Sequence, residues 1–399
     1  MLPPAWLALT VVVLLASVLA RDGLLFLVSL TALGAAGVSR LWGRYCLARV
    51  EYHRRLSQPR AAWGDEVDLE LEVVNRKPLP LAWLEVQEDL PAVLAPSRGT
   101  VRRSHRSGRS ILSAMLSLRW YERVRRRYRI VCLARGDHWF GPTTLRSGDV
   151  FGFETRDLVV ASETNLLVYP RVVPIGRLGL PAVDPLGERA ARDWLFQDPL
   201  RTVGVREYVR GDSRRRIHWG ATARTGALQV KVHEPTTEPR LIICLNVETL
   251  GEGWWRGYDP ELLELAISTA ASVAAWAVEQ GRPVGLYANA ALSRSAGAIA
   301  RPPSRDPAQL TELLTLLARA LPISTLPFAE FLARQRRAFP YGATLVVVTA
   351  EVATTTADGL RALRAAGHRV VLLQIGDRAE TLRLPGIATR PVRALEALS

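Results

Sequence analysis

Two uncharged apolar runs at the N-terminus constrain this chain more than any other feature. The first covers residues 2–20 and the second residues 24–38, and only Arg21, Asp22 and Gly23 lie between them. Each run is slightly shorter than the ~20 residues that cross a bilayer as a helix. Because so short a connection holds two apolar helices side by side, the sequence predicts a transmembrane helical hairpin over residues 1–42.

Two other interpretations of these runs stay open. A cleaved signal peptide ending near Ala20 would carry a basic stretch before its apolar part, and no Lys or Arg precedes residue 21. The second interpretation is a helical hairpin buried in the core of a soluble protein. Trp6, Trp42 and Tyr45 can serve as interfacial flanks. The sequence therefore favours the membrane hairpin.

The arginines that follow the second run indicate an orientation. Residues 40–60 hold six arginines and a single acid, Glu51, whereas the short connection holds one Arg and one Asp. The positive-inside rule then places this basic juxtamembrane segment, residues 43–60, on the cytoplasmic side of the cell (inner) membrane. The N-terminus and the soluble domains follow it there. Three cysteines without a CxxC pair also fit a reducing compartment: Cys46, Cys132 and Cys244.

Residues 61–175 have the pattern of an antiparallel β domain. From Val67 to Val73, apolar and acidic residues alternate with period two, which predicts a half-buried strand. Turn signals recur at short intervals, for example at Gly141 and Pro142. Short strands without a long helix predict a β-sandwich-like middle domain.

Arginines alternate with other residues over 123–130 and invite a second functional interpretation. The formal net charge is +14 with only two lysines, Lys77 and Lys231, so the basic charge is almost all arginine. An arginine-rich module that binds anionic lipid or nucleic acid is therefore an alternative. Arginines on the solvent face of an edge strand give the same pattern. Since no RNP-like, KH-like or helix-turn-helix signature accompanies it, the sequence does not favour nucleic acid.

The C-terminal part, residues 239–399, alternates apolar strands with helices. Residues 240–247 form a continuous apolar run typical of a central parallel strand. Helices are predicted near residues 260–280, 307–320, 327–338 and 357–366, with strands between them at 283–288, 344–349 and 369–375. This order predicts a doubly wound α/β domain.

Between the two domains, a linker with an unusual motif covers residues 176–238. Asp212 or Ser213 can cap a short helix starting at Arg214, with Ile217 and Trp219 on its apolar side. Thr225 and Gly226 then turn the chain into a strand. The arginines either clamp the fold against acids such as Glu207 and Asp212 or receive the acidic loop of a partner. The residues favour the clamp.

This motif resembles the signature of domain-of-unknown-function family fifty-eight. The resemblance implies a membrane-linked protein whose C-terminal domain is von Willebrand A-like and whose partner is a MoxR-type AAA ATPase. Upstream, Gly141, Pro142 and the segment 148–152 also match. The motif residues that would bind a partner, or mark the signature, are Arg206, Glu207, Tyr208, Gly211, Asp212, Arg215, Trp219 and Arg224.

The resemblance also implies where a metal site would lie. Von Willebrand A-type domains hold Mg²⁺ through D-x-S-x-S after the first strand, where the hard cation takes oxygen ligands. The aligned positions here are Asn246, Glu248 and Leu250, and neither Thr349 nor Glu351 matches a later ligand cleanly. An amide replaces the central carboxylate. We therefore expect a degenerate site that holds no Mg²⁺ and no other cofactor.

No catalytic constellation accompanies these features. The chain contains neither a P-loop nor an H-E-x-x-H or G-x-S-x-G motif. A cryptic enzyme built on Asp212, His218 and Glu248 is the remaining alternative, although His218 is interpreted as structural. We expect a non-catalytic, membrane-anchored scaffold or adaptor for a protein partner.

Overall fold

The structure, a computed structural model, describes residues 4–96, 98–149, 154–178, 180, 186, 197–209, 217–235, 240–251, 257–293, 295–376 and 384–393. The chain divides into two compact units, Met1–Val168 and Tyr169–Ser399. The first unit contains the apolar helices and the sheet-rich middle region, and the second contains the motif and the α/β domain.

The two apolar runs are helices: α1 (Pro4–Leu19) and α2 (Gly23–Tyr45). Asp22 starts α2 because its carboxylate accepts hydrogen bonds from the backbone N–H groups of Leu24 (3.0 Å) and Leu25 (3.2 Å). At 1.5 Å per residue, α2 is about 34 Å long and α1 about 24 Å. Both helices expose apolar side chains. Two apolar helices near the N-terminus could thus cross a membrane, α2 with the full length and α1 a little short of it.

A third helix has the length and composition of a membrane span but lies in a protein core. This helix, α4 (Pro260–Glu279), is mostly buried within the second unit. Its apolar residues are therefore explained by packing rather than by lipid.

The sheet-rich middle region is confirmed, and its strands form three sheets among the described residues. The sheet orders are β1-β3-β7, β10-β9-β4-β6-β5 and β2-β11-β8, with every pairing antiparallel except β2 with β11. Leu69, Leu84, Ile130 and Leu145 are fully buried in one core cluster between them. The strands are β1 (Val50–Leu56), β2 (Arg60–Ala61), β3 (Glu66–Asn75), β4 (Leu81–Pro91), β5 (Thr100–Arg103), β6 (Arg109–Leu118), β7 (Arg123–Val131), β8 (Gly136–Phe140), β9 (Thr143–Gly148), β10 (Thr155–Val160) and β11 (Thr164–Val168).

The predicted juxtamembrane segment 43–60 needs a correction. The last residues of α2 and the whole of β1 lie within it, and β1 pairs with β3 along its full length. Tyr52 and Arg54 are buried on one face of β1. Arg54 is therefore not available to hold a membrane surface, although the orientation argument counted it.

In the seven-stranded sheet that the described residues of the second unit form, five strands are parallel and two antiparallel strands pair with β15. The sheet order is β16-β15-β14-β18-β19-β20, with β17 also on β15. A separate hairpin joins β12 and β13. The elements are β12 (Gln197–Glu207), α3 (Trp219–Thr225), β13 (Gln229–Pro235), β14 (Leu241–Leu245), α4, β15 (Val284–Leu292), β16 (Ser295–Ser304), α5 (Gln309–Arg319), β17 (Ala320–Ser324), α6 (Phe328–Gln335), β18 (Thr344–Thr349), α7 (Thr354–Ala365), β19 (Arg369–Ile375) and β20 (Ala388–Val392).

Both faces of this sheet are covered, as a doubly wound arrangement requires. Helices α4 and α5 pack in a core cluster with Ile243 and Val346, whereas α6 and α7 pack in a second cluster with Ile242 and Val347. From β14 the chain first builds outward through β15 and then returns to the other side at β18. The strand order reverses between β14 and β18, and a crevice at the carboxyl ends of such strands is where ligands bind in open α/β sheets.

Candidate functional site

Three buried polar side chains meet at this reversal of the strand order. Asn246 follows β14, Thr349 ends β18 and Asn289 lies in β15. The Asn246 amide nitrogen donates to the Thr349 hydroxyl (3.1 Å), and the Asn289 amide nitrogen donates to Asn246 Oδ1 (3.1 Å). Asn289 and Thr349 are fully buried and Asn246 nearly so. We call these three residues the amide cluster.

Backbone groups fix the orientation of both amides. The Glu248 N–H donates to Asn246 Oδ1 (3.0 Å), so the nitrogen of Asn246 must point toward Thr349. The Val247 N–H donates to Asn289 Oδ1 (3.0 Å), and the Asn289 nitrogen also donates to the Leu326 carbonyl (3.3 Å). Each amide thus uses both its oxygen and its nitrogen inside the protein.

Glu248 and Thr249 continue the cluster toward the helices. The Glu248 carboxylate is buried and accepts a hydrogen bond from the N–H of Phe328, the first residue of α6 (3.3 Å). The Thr249 hydroxyl accepts from the N–H of Asp259, which in turn caps α4. These contacts tie the loop after β14 to the start of two helices.

The chemistry of this cluster differs from that of a cation site. A hard divalent cation needs oxygen acceptors that converge on it. Asn246 instead donates its amide N–H to the Thr349 hydroxyl, the oxygen that would have to face the cation. The hydrogen of the Thr349 hydroxyl is also engaged, since it is donated to the Glu351 carbonyl (2.7 Å). Among the described residues, no group of three or more His, Cys, Asp or Glu could hold a metal ion. The described residues at this edge do not fit Mg²⁺.

The predicted degenerate positions are therefore partly brought together. Asn246 contacts Thr349 directly and Glu248 through its backbone N–H, while Leu250 is exposed to solvent. Asn289 was missed. Its signal in the sequence is a single amide within the otherwise apolar strand β15, a setting where a buried polar group needs partners.

The motif forms a hairpin with a short helix inserted between its strands. Strand β12 pairs with β13 from Glu207 opposite Gln229 onward. Ile217 is buried and bridges to Val230, and the Tyr208 N–H donates to the Leu228 carbonyl (2.9 Å). The described parts of the motif, residues 206–209 and 217–231, are thus joined by strand pairing.

Helix α3 begins later than the sequence predicts. His218 is its N-cap, and its ring Nδ1 accepts the N–H of Ala221 (3.0 Å). His218 therefore has the structural role expected of it. Gly226 ends the helix in the left-handed conformation (φ 69°), as the predicted turn requires. The predicted cap at Asp212 or Ser213 lies outside the described residues.

Trp219 is exposed and Ile217 precedes the helix, which corrects the prediction that both lie on the apolar side of one helix. It is the first residue of α3 and is 68% exposed. Val205, Val209 and Leu228 on the two sides of the hairpin are also exposed. We call these four residues the motif patch. These four exposed apolar side chains share one short hairpin.

The described polar residues of the motif lie on the same hairpin. Arg206 and Glu207 are exposed at the end of β12, and Tyr208 is half-buried. The Arg206 guanidinium donates to the Glu207 carbonyl (3.1 Å), and Arg224 donates to the Gly220 carbonyl (3.2 Å). Gly211, Asp212 and Arg215 lie outside the described residues, so the predicted clamp through Asp212 stays a prediction.

The arginine stripe of β7 pairs with acids on the neighbouring strand β3. Arg125 contacts Glu72 (3.0 Å) and Arg127 contacts Glu70 (2.9 Å). The guanidinium of Arg127 keeps the pKa of the Glu70 carboxyl below its usual value. Acids of β3 thus compensate much of the charge of this stripe.

A buried ion pair lies inside the first unit. Arg54 pairs with Glu88, and both side chains are inaccessible to solvent. Tyr52 and Thr143 also donate hydroxyl hydrogen bonds to Glu88, each at 2.6 Å. Burial and the adjacent Glu88 carboxylate raise the pKa of Tyr52. The cluster joins β1, β4 and β9, which is a structural role.

The buried thiols have no reactive setting. Cys46, Cys132 and Cys244 are all free and buried. Burial raises the pKa of Cys132 to about 11 and that of Cys244 further, so both are protonated at neutral pH. None of them is a candidate nucleophile.

Known proteins match this chain in two ways. Residues 204–396 match the family model described as "Protein of unknown function DUF58", which confirms the resemblance to family fifty-eight over that range. The curated "Uncharacterized protein YeaD" of Bacillus subtilis (strain 168) is 21% identical over 250 residues, which are 61% of this chain. The match spans 56% of the length of that relative.

Solved structures resemble about a third of the chain. The CARDB domain of the PF1109 protein from Pyrococcus furiosus is 13% identical with a TM-score of 0.20, covering 30% of this chain and 89% of that domain. A cohesin module from Clostridium perfringens is 13% identical with a TM-score of 0.22, covering 30% and 96%. TM-scores this low support no statement about function.

Proposed function

We propose that this protein is a membrane-anchored, non-catalytic adaptor whose motif patch binds a protein partner. The observation that carries the proposal is the exposure of Trp219, together with that of Val209 and Leu228 on the same hairpin. Tryptophan and arginine are the residues that most often dominate protein interfaces. Arg206 and Arg224 on the same hairpin add charges that suit an acidic partner segment.

The second support is the saturated amide cluster. In open α/β sheets the reversal of strand order is the usual place for a ligand. In this chain, the polar groups of the amide cluster at that position bond to each other. The cluster therefore offers neither a nucleophile nor a set of cation ligands. A domain with such an edge is better suited to present a surface than to perform chemistry.

The family resemblance suggests the finer assignment. We propose a von Willebrand A-like α/β domain, in line with the doubly wound sheet and its reversal between β14 and β18. The partner we propose is a MoxR-type AAA ATPase. With α1 and α2 as the anchor, the soluble parts would face the cytoplasm at the inner membrane.

Two equally exposed tryptophans give a controlled test. Trp219 and Trp120 are 68% and 67% exposed, but Trp120 lies in the first unit. The full-length protein, Trp219→Ala and Trp120→Ala are each purified from native membranes in mild detergent, with and without Mg²⁺ and ATP. We expect an AAA ATPase to co-purify with the wild type and with Trp120→Ala, and to be lost with Trp219→Ala.

Two outcomes would contradict the proposal. If no AAA ATPase is enriched with any form of the protein, the partner assignment fails. If Trp219→Ala retains the ATPase as well as Trp120→Ala does, the motif patch is not the binding surface.

A further inference from the structure

The end of the first unit that adjoins α2 carries an exposed aromatic turn. Trp120 and Tyr121 form the tip between β6 and β7, and they are 67% and 68% exposed. Tyr121 also has a positive φ of 53°, which is uncommon for a residue with a side chain. Because both side chains are exposed, packing in the core of the unit does not account for the two aromatic residues or for the positive φ.

Hydrogen bonds hold this tip close to the end of α2. The Lys77 ammonium donates to the Cys46 carbonyl (2.7 Å), one residue beyond the helix. The Tyr121 N–H donates to the Lys77 carbonyl (3.3 Å), and the Asn75 N–H donates to the Glu122 carbonyl (2.9 Å). The tip is therefore pinned beside the C-terminal end of α2.

The charge at this end is positive. Acids at this end are engaged: Glu51 pairs with Arg76 (2.6 Å), Glu72 pairs with Arg123 (3.1 Å), and Glu122 accepts the N–H of Arg119 (2.5 Å). Burial lowers the pKa of Lys77 to about 8, yet it is still mostly protonated at pH 7. The arginines of this end are Arg44, Arg49, Arg76, Arg119 and Arg123.

We propose that the turn of Trp120 and Tyr121 docks in the headgroup region of an anionic phospholipid bilayer. Tryptophan and tyrosine prefer the membrane interface because one part of the ring system is apolar and the other polar. Arginines beside them attract anionic headgroups. The strained, pinned turn presents both rings in a fixed place at the depth where α2 would emerge.

This inference rests on the proposed membrane anchor but not on the proposed partner. The full-length protein carries Trp120→Cys, labelled with an environment-sensitive fluorophore, in nanodiscs that contain a nitroxide-labelled lipid. The native cysteines are all buried, so the new thiol is labelled selectively. Leu133→Cys is the matched control, because Leu133 is 58% exposed beyond the other end of β7, a strand about 30 Å long.

The lipid nitroxide should quench the label at position 120 and leave that at position 133 unaffected. Tyr121→Cys, which retains Trp120, should be quenched as well. Replacing phosphatidylglycerol by phosphatidylcholine should weaken the quenching. Arg119→Gln should lower the ratio of docked to undocked tip by about fivefold, the factor that one arginine contributes near an anionic surface.

Co-elution of the protein with the discs reports the anchor separately from the tip. A protein that co-elutes but is quenched equally at positions 120 and 133 overturns the docking. If the quenching at position 120 is the same in phosphatidylglycerol and phosphatidylcholine discs, the tip does not dock through anionic headgroups.

Discussion

Asn246 and Thr349 join neighbouring strands at the reversal of the strand order, with the asparagine amide as the donor and the threonine hydroxyl as the acceptor (3.1 Å). A carboxylate at position 246 could not make this bond unless the hydroxyl turned around. The hydroxyl already donates to the Glu351 carbonyl. The amide is therefore part of the packing of this edge.

We predict that Asn246→Asp destabilises the protein by about 1–3 kcal/mol, since it buries a charge and breaks a hydrogen bond. The check is chemical unfolding in detergent with and without millimolar Mg²⁺. Gln280→Glu, an amide-to-acid change at the exposed C-cap of α4, is the control and should cost at most about 1 kcal/mol, the usual effect of a negative charge at a helix C-terminus. A wild-type protein that Mg²⁺ stabilises would contradict our view of this edge.

The buried pair of Arg54 and Glu88 should show strong coupling. Glu88→Leu leaves the guanidinium unpaired and should cost about 3–5 kcal/mol. The double variant with Arg54→Met should cost less than the sum of the single changes, as a double-mutant cycle measures. Asp157→Asn breaks the exposed pair with Arg146 and should cost at most about 1 kcal/mol. Additive effects at Arg54 and Glu88 would show that the pair is not coupled.

Two glycines in open surroundings should respond in opposite directions to alanine. Gly226 has φ 69°, so Gly226→Ala should destabilise the protein by roughly 1–2 kcal/mol. Gly359 lies inside α7 without a positive φ, and Gly359→Ala should stabilise it by about 1 kcal/mol. Thermal unfolding of both variants tests this. Equal shifts would mean that the helix end at Gly226 is not held in the left-handed conformation.

Lys77 should give the protein a pH dependence in the alkaline range. Burial lowers its pKa from 10.5 to about 8 in the folded state. Between these values the unfolded chain binds more protons than the folded one, so this group adds stability as the pH rises from about 8 to about 10.5. The free energy of unfolding of the wild type minus that of Lys77→Met should therefore increase over this range.

The control for this experiment is the other lysine of the chain. Lys231→Met should leave the rise between pH 8 and 10.5 in place. If Lys77→Met has the same pH profile as the wild type, the ammonium group is not desolvated in the folded protein.

The sequence predicted those elements whose pattern reflects burial alone. The alternation from Val67 to Val73 is the core of β3, and the apolar run at residues 240–247 contains the central strand β14. Strands β16 and β17 were missed. Strand β16 contains Pro302 and Pro303, which sheets tolerate only at an edge and which resemble loop signals in a sequence.

The candidate site was harder to predict, since its contacts are not local. Asn289 meets Asn246 only because parallel strands bring their carboxyl ends together. The prediction placed Trp219 on the apolar side of a helix, together with Ile217. The structure buries Ile217 and exposes Trp219, because the strand bridge ends at the first and the helix begins at the second.

The connection between α2 and β1 consists of residues 46–49 and is tied down by Lys77. Four residues extend at most about 14 Å, and here they are folded back on the sheet. If α2 lies in a bilayer, so short a connection keeps the β-sheets of the first unit directly at the membrane surface. Anything that binds it must arrive by lateral diffusion within the membrane, or from solution into the thin layer just above the headgroups.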